Sequence, residues 1–353
     1  MRTARVALIV LAATFGVSQQ GSAQGLNYSI FKNYLESLRQ QAAIPGISAA
    51  IVQDQRIVWF AGLGKANIEA NVLPGIDTPY VLGSASQVFA STVLIEKCSD
   101  TGVLRDGIFD LVAWWFAFPD SSSTIANLLT HTLPTGVFHY DLARYSLLTP
   151  VIERCTGVPY KKLLASTLLD PLQMVDSVPG QALASPTPED QLLFDEGTLN
   201  RYASTLSQLA VPYRVTGSGN AIQSDFAGQP LNASGGVITS VQDLVRFDNA
   251  LGSLLSPGAL NASFTPSVVN GVSLPTGLGW FVQYYNGDPR KRIVWQFGMV
   301  KDAYSSLILK LPEYKVTLIL LANSDGLSAP FGLENGDITT SPFARIFFRV
   351  FGL

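Results

Sequence analysis

The stretch that decides the fold reads Tyr80-Val81-Leu82-Gly83-Ser84-Ala85-Ser86-Gln87-Val88-Phe89. It joins an extended apolar segment to an amphipathic helix through a Gly-Ser junction. A serine on the first turn of a helix often serves as an N-cap, where its hydroxyl accepts a hydrogen bond from a backbone N–H. The alternative is a nucleophile held at a strand-to-helix junction, where backbone N–H groups can stabilise an oxyanion. Taken alone, the stretch favours the cap.

The pattern around this stretch predicts a sheet built from both ends of the chain. A first helix over 27–43 is followed by strands at 47–53 and 56–63, which Asp54-Gln55 joins as a hairpin. Residues 84–275 are mainly helical, with loops at 180–195 and 213–235 that we expect to line the cleft. Four more strands and a closing helix are predicted at 278–285, 292–297, 304–311, 316–322 and 341–350. This order predicts an antiparallel sheet flanked by helices, with an all-α insert.

The beginning of the chain has the features of a signal peptide. Arg2 and Arg5 precede an apolar run over 6–17, and Gly21-Ser22-Ala23 is a small-residue cleavage site. We therefore expect residues 1–23 to be removed, and the protein to be exported to the periplasm or the extracellular space. Residues 24–353 are predicted to form one domain, in which 24–83 and 276–353 supply the sheet. The later sequence has no apolar stretch long enough to span a membrane.

Composition bounds the partners of this domain. The chain has 353 residues, of which 47% are hydrophobic and 14% are charged, against about 25% charged in an average domain. The formal net charge of −3 and the absence of basic runs argue against a nucleic-acid partner.

Two cysteines and two histidines give little basis for a metal site. Cys98 and Cys155 each end an apolar helix, which favours two buried free thiols, although an oxidising compartment would permit a disulfide. His131 and His139 form no ligand-spaced pair with them, so neither a metal nor another cofactor is predicted.

Seven landmarks in order resemble the serine β-lactamase and penicillin-binding-protein-like hydrolases. The similarity is greatest to the branch of class C β-lactamases, D-alanyl-D-alanine carboxypeptidases and related esterases, and it covers nearly all of residues 24–353. The landmarks are Leu82-Gly83-Ser84-Ala85-Ser86, Asn127-Leu128-Leu129-Thr130-His131-Thr132, 140–157, Pro171-Leu172-Gln173-Met174, 234–244, Gly277-Leu278-Gly279-Trp280 and Leu321-Ala322-Asn323-Ser324. The resemblance implies an α/β fold with an active-site cleft between the sheet and the helical insert. The chemistry it implies is acyl transfer to Ser84 followed by hydrolysis.

The first catalytic motif of that family is Ser-x-x-Lys, in which the lysine amine lies beside the serine hydroxyl. Here the motif reads Ser84-Ala85-Ser86-Gln87. Glutamine has no usable basicity, so Gln87 can orient Ser84 but cannot deprotonate it.

The second motif, Tyr-x-Asn, reads Tyr140-Asp141-Leu142. The tyrosine is kept, but Leu142 cannot make the hydrogen bonds of the asparagine. An unperturbed phenol has a pKa of about 10, and the missing lysine would have lowered it. An inward Asp141 would raise it.

The third motif, Lys-Thr-Gly or His-x-Gly, reads Gln296-Phe297-Gly298. The cationic or titratable residue is again a neutral amide, and Phe297 fills space where a substrate would lie. Lys301 is a candidate substitute, since it follows Gly298 by three residues. His131 is interpreted as structural, and His139 as pointing away from Tyr140.

Two functional interpretations remain open. A positioned acid–base group contributes roughly 10²–10⁴ in rate, so a site that has lost all three polar members keeps weak turnover at best. The favoured interpretation is a catalytically impaired pseudoenzyme that binds a small molecule, an acyl or cell-wall-type ligand, or a protein in the old cleft. The alternative is a weak or repurposed serine hydrolase acting through an acyl-Ser84 intermediate, because Ser84 and Tyr140 are both retained.

Overall fold

A six-stranded antiparallel sheet forms the centre of the protein. The computed structural model describes residues 25–98, 123–269 and 271–351. Its strands are β1 (Gly46–Gln53), β2 (Arg56–Gly64), β9 (Phe281–Tyr284), β10 (Arg292–Val300), β11 (Tyr304–Leu311) and β12 (Val316–Ala322). They lie in the order β2-β1-β12-β11-β10-β9, so two strands from the beginning of the chain pair with four from its end. Ile47 of β1 pairs with Ala322 of β12, which joins the two groups of strands. The predicted sheet is therefore confirmed.

Alternating side chains of the sheet supply two separate hydrophobic cores. On one face, Leu309 and Leu320 pack with Phe31 and Phe347, which belong to helices from the two ends of the chain. On the other face, Ile308 packs with helices of the insert. This division follows from the two-residue period of a strand, which sends successive side chains to opposite faces. The terminal helices are α1 (25–41) and α11 (Pro342–Val350).

The segment between β2 and β9 is mainly helical, as the pattern predicts. Its helices are α2 (Gln87–Cys98), α3 (Ile125–Leu129), α4 (Leu142–Ser146), α5 (Leu148–Thr156), α6 (Tyr160–Leu164), α7 (Pro188–Leu193), α8 (Glu196–Ser207), α9 (Val241–Leu254) and α10 (Pro257–Ser263). Between β2 and β9 the described residues also form three small antiparallel pairs, which are β3 (Tyr80–Val81) with β6 (Ile238–Thr239), β4 (Tyr213–Val215) with β5 (Ala221–Gln223), and β7 (Val268–Val269) with β8 (Val272–Ser273).

The two predicted loops contain regular structure. Helix α7 lies within 180–195, where Thr187 and Asp190 form a capping box. The hairpin of β4 and β5 lies within 213–235. Both elements are too short to give a clear periodic pattern, which is why the sequence favours loops there.

The prediction of free thiols is wrong. Cys98, at the end of α2, and Cys155, in the last turn of α5, form a disulfide across 57 positions of the chain. The sequence places both cysteines at helix ends, but it does not show that those two ends meet.

Some expectations lie outside the described residues. The predicted signal peptide, residues 1–23, is among them, as is the part of the predicted helical insert over 99–122. Within the residues that the structure describes, no helix combines the length and the apolar character needed to cross a membrane.

Candidate active site

Two glycines bring the Ser84 segment into backbone contact with strand β10. Gly83 has a φ of +61°, and a Cβ there would lie 2.9 Å from the backbone nitrogen of Met299. A Cβ on Gly298 would lie 1.7 Å from the carbonyl oxygen of Leu82. Only glycine fits either position, because L-residues rarely adopt a positive φ and no side chain fits in such a contact. The first and third motifs are therefore neighbours in space.

The hydroxyl of Ser84 does not cap a helix. Ser84 lies in a 3₁₀ turn, Gly83–Ser86, that leads into α2, and it is 2% exposed. Its Oγ donates a hydrogen bond to the carbonyl oxygen of Phe297 at 3.1 Å. Ser86 has the local structural role instead, since its Oγ accepts the N–H of Val237 at 3.1 Å. The cap interpretation of Ser84 is wrong, and its proton points at a carbonyl rather than at a base.

Gln87 is the centre of a buried hydrogen-bond cluster. Its Oε1 accepts from Nε2 of His131 at 3.1 Å and from Nε2 of Gln296 at 3.2 Å. Gln296 also donates to the carbonyl oxygen of Gly279 at 3.2 Å, and its Oε1 accepts the N–H of Phe297 at 3.0 Å. The two motif positions at which the family has a cation or a titratable group thus bond directly to each other as neutral amides.

His131 is the site residue that sequence reasoning missed. Its Nδ1 accepts the backbone N–H of Asp141 at 3.4 Å, which leaves the ring proton on Nε2, facing Gln87. Burial lowers the pKa of His131 to about 3, and the nearby Arg144 charge adds to the effect. The imidazole is therefore neutral at pH 7 and acts as a donor. Its position in a family landmark was the available signal, but the sequence does not reveal its partner.

Tyr140 lies beside Ser84 with its hydroxyl protonated. Burial raises the pKa of this phenol above its ordinary value, and the side chains of Ser84 and Gln87 offset that effect only in part. The Tyr140 hydroxyl is buried but is aligned with neither neighbour, and it has no hydrogen-bond partner within the described residues. The same holds there for Nε2 of Gln87. Two donor groups thus lie unsatisfied next to Ser84.

The remaining candidate residues contribute less. Asp141 does not act on Tyr140 but caps α4, since its carboxylate accepts the N–H groups of Ala143 and Arg144 at 2.8 and 3.2 Å. Leu142, the first residue of that helix, is 36% exposed. Lys301 is exposed in the turn after β10, and in the described part of the chain it makes no hydrogen bond to Ser84.

His139 is exposed, whereas the hydroxyl of its neighbour Tyr140 is buried. The two side chains therefore differ in environment, in keeping with the predicted opposite orientation. His139 lies 3.8 Å from the carboxylate of Asp141.

Aromatic rings pack around the serine. The ring of Phe297 is almost fully buried, and its centroid lies 5.6 Å from that of Tyr140 and 5.9 Å from that of Phe281. The ring of His131 is tilted by 32° against that of Tyr140, with the centroids 4.4 Å apart. The Phe297 ring therefore belongs to an aromatic cluster that includes Tyr140, and its place in a substrate site stays a prediction.

The backbone polar groups at the free edge of β10 are bonded to side chains of the protein itself. Strand β9 pairs with β10 only as far as Trp295, so the following residues have no partner on β9. Both backbone polar groups of Phe297 are nevertheless occupied, the carbonyl by Ser84 and the N–H by Gln296. A peptide-like ligand that extends this edge would have to displace both side chains.

No group of three or more histidine, cysteine, aspartate or glutamate side chains in the described ranges could hold a metal ion. The groups beside Ser84 form a donor–acceptor cluster, because Gln87 and Gln296 are amides and burial lowers the pKa of His131 to about 3. Such a cluster can bind a polar group.

Comparisons with known proteins identify the family. The family model for beta-lactamase matches residues 31–338. The chain is 25% identical over 233 residues to penicillin-binding protein 4* of Bacillus subtilis (strain 168), a match that covers 62% of this chain and 49% of that protein. The chain thus spans about half the length of this curated relative.

Solved structures share the fold. An octameric penicillin-binding protein homologue from Pyrococcus abyssi superposes with a TM-score of 0.69 at 20% identity, covering 91% of this chain and 77% of its own. A class C beta-lactamase from Rhodobacter sphaeroides gives a TM-score of 0.66 at 15% identity, covering 92% and 98%. Because the family model covers most of the chain, the protein belongs to the beta-lactamase family of serine-hydrolase-like proteins.

Proposed function

We propose that this protein is a member of the family that has lost acyl-transfer catalysis and binds a ligand or partner at the former active site. The observation that carries the proposal is the hydrogen bond from Ser84 Oγ to the Phe297 carbonyl. A nucleophilic serine needs an acceptor that can take its proton, and a backbone carbonyl cannot do so.

None of the neighbouring side chains can replace the missing base. Gln87 and Gln296 are amides, which do not titrate near pH 7. His131 is neutral, but its proton is on the nitrogen that faces Gln87, and its other nitrogen is bonded to the Asp141 N–H. Since the pKa of Tyr140 is raised, its phenolate is scarcer than that of a free tyrosine.

The ligand that suits this cluster carries a neutral acceptor such as a carbonyl oxygen. Gln87 Nε2 and the Tyr140 hydroxyl are buried donors without partners in the described chain, and a buried unsatisfied donor costs about 1–3 kcal/mol. One carbonyl oxygen can accept from both. An acyl or cell-wall-type compound fits this requirement, and the likeness to a penicillin-binding protein supports that class. The net charge of −3 argues against nucleic acid.

The second candidate function is weak serine hydrolysis through an acyl-Ser84 intermediate. It is favoured by one observation, which is that Tyr140 lies beside Ser84 and so keeps a proton-transfer group at the reacting oxygen.

Hydrolysis assays distinguish the two functions. We expect a chromogenic β-lactam and a p-nitrophenyl ester to be hydrolysed no faster by the wild type than by Ser84→Ala. A rate above that control would support the weak hydrolase. The triple variant Gln87→Lys/Leu142→Asn/Gln296→His restores the family motifs. We expect its rate of hydrolysis to exceed that of the wild type by at least about 10²-fold. No gain would show that the cleft itself is closed or reshaped.

We also propose that the chain is exported. The signal-peptide pattern of residues 1–23 motivates this, and the Cys98–Cys155 disulfide supports it, because such bonds persist in oxidising compartments. Expression of the full chain should give a secreted or periplasmic product that begins at Gln24. A product that is found in the cytoplasm and still carries residues 1–23 would contradict export.

A further inference from the structure

A cavity lined by Lys310 lies at the opposite end of β11 from the site around Ser84. Ser306, near the start of β11, bonds to the carbonyl oxygen of Leu82, whereas Lys310, near its end, lines the cavity. The cavity has a volume of about 580 Å³ and none of the three catalytic motifs contributes to its wall. It is formed by the β1–β2 turn, helix α9 and the β11–β12 turn.

A buried ion pair forms part of the cavity wall. Lys310 is bonded to Asp248 of α9, and the side chains of both residues are about nine-tenths buried. Thr317 Oγ1 donates to the second carboxylate oxygen at 2.9 Å and lies 3.4 Å from the Lys310 ammonium. Lys310 points to the same face of the sheet as the core residue Ile308, since the two are two positions apart in a strand.

Such a pair is costly as a purely structural feature. The desolvation of two charges often cancels their attraction, and apolar residues of similar size commonly stabilise the fold as well or better. An ammonium group has three N–H donors, and Asp248 and Thr317 accept two of them. The Lys310 Nζ also lies 5.9 Å from the centroid of the Phe264 ring, but its third N–H has no hydrogen-bond acceptor among the described residues. A charge pair on a cavity wall with such a donor is suited to binding a polar ligand.

A second ion pair lies at the mouth of the same cavity. Lys315 and Asp54 are 3.7 Å apart and both are largely exposed. Asn249 ties α9 to the β1–β2 turn by donating to the carbonyl oxygen of Gln55 at 2.9 Å, which holds the two walls together. The four charged side chains on the wall therefore sum to zero. A ligand with a single charge would upset that balance, whereas a ligand with one charge of each sign preserves it.

We propose that this cavity binds a small zwitterion, such as a free amino acid or a dipeptide. The carboxylate is taken by the available N–H of Lys310 and by Lys315, and the ammonium is taken by Asp54. This site is independent of the function proposed for Ser84, because the two clusters share no residue.

Calorimetric titration with the dipeptide Ala-Ala and with alanine tests this site. Saturable binding of at least one of them is expected to the wild type and, unchanged, to Ser84→Ala. Acetate and methylammonium, which each carry one of the two charges, should not bind at the same concentrations. Saturable binding by neither zwitterion would overturn the proposal, as would equal binding of either single-charge probe.

Two variants locate the binding. The exposed pair is removed in Asp54→Ala/Lys315→Ala, which leaves the core unchanged and should weaken binding by at least about tenfold, or 1.4 kcal/mol. The buried pair is replaced in Lys310→Met/Asp248→Leu, which should abolish binding. Wild-type affinity in the exposed-pair variant would place the ligand elsewhere and refute the assignment, even if the buried-pair variant fails to fold.

Discussion

Gln87 and Gln296 are 209 positions apart in the chain, and their side-chain amides share a hydrogen bond of 3.2 Å beside the Ser84 segment. The two substitutions are therefore coupled in space. A lysine at position 87 would have no oxygen to accept the N–H groups of Gln296 and His131. The oxygen of the neutral glutamine accepts from both, so Gln87, Gln296 and His131 form one hydrogen-bonded cluster.

The coupling of these amides is measurable in a double-mutant cycle. Gln87→Met and Gln296→Met should each destabilise the protein, because each leaves a buried donor or acceptor without a partner. Their combined effect should differ from the sum by about 0.5–3 kcal/mol in urea unfolding. The control combines Gln87→Met with Asn249→Ala, because Asn249 lies on the wall of the Lys310 cavity, away from Gln87. The losses in stability of these two variants should be additive. Additivity of the two glutamines would contradict the cluster.

The buried imidazole predicts a pH dependence of stability. His131 has a pKa of about 3 in the folded protein, below its ordinary value of 6.5, so the unfolded chain binds more protons between these values. Its contribution to stability is complete above about pH 7 and is lost as the pH falls toward 3, by up to about 1.4 kcal/mol per pH unit. His131→Gln keeps a donor to Gln87 and should lack this dependence.

The comparison must be made as wild type minus His131→Gln, because other groups titrate in the same range. Burial raises the pKa of Asp243 to about 6, which favours the folded state as the pH falls from 6 to 4 and so has the opposite sign. This contribution cancels in the difference. If the difference in the free energy of unfolding between the wild type and His131→Gln stays constant from pH 7 to 4, His131 is not buried as a neutral group.

The disulfide should contribute substantially to stability. Cys98 and Cys155 are separated by 57 positions, for which loop-closure entropy gives a stabilisation of roughly 4 kcal/mol. Cys98→Ala/Cys155→Ala should unfold at a correspondingly lower denaturant concentration. Added reductant should lower the unfolding midpoint of the wild type and leave that of the double variant unchanged. Equal stability of the two proteins in the absence of reductant would argue that the bond does not form.

The close approach of β10 to the Ser84 segment requires glycine at position 298. In Gly298→Ala the new Cβ would lie 1.7 Å from the Leu82 oxygen and 2.3 Å from Ser306 Oγ, so the strand must move. We expect the free energy of unfolding to fall by more than about 4 kcal/mol, or the variant not to fold. The matched control is Gly252→Ala in α9, where no atom lies within 4 Å of the new Cβ. It should stabilise the helix by about 0.5–1 kcal/mol. Similar stabilities for the two variants would refute the contact.

The sheet could be predicted closely because its strands have simple patterns. The predicted strands 304–311 and 316–322 match β11 and β12, whose buried branched residues alternate between the two cores. Helix α7 could not be predicted, because six residues with a capping box give too few turns for a periodic pattern.

The site could be predicted only in part. The motif positions Ser84, Gln87 and Gln296 could be found from the sequence, but their bonds could not, because those bonds depend on tertiary contacts between distant segments. The role of His131 and the pairing of Cys98 with Cys155 were missed for the same reason. In each case the residue type permits several partners, and the fold selects one.

Intact-protein mass spectrometry tests whether Ser84 is a nucleophile. The purified protein is incubated with a fluorescent penicillin and, separately, with a fluorophosphonate, with a catalytically active member of the family as the positive control. We expect the mass of the protein to stay unchanged over hours while the control is fully labelled. Stoichiometric mass addition to the wild type that is absent in Ser84→Ala would show that Ser84 is a nucleophile and would refute the proposed loss of acyl transfer.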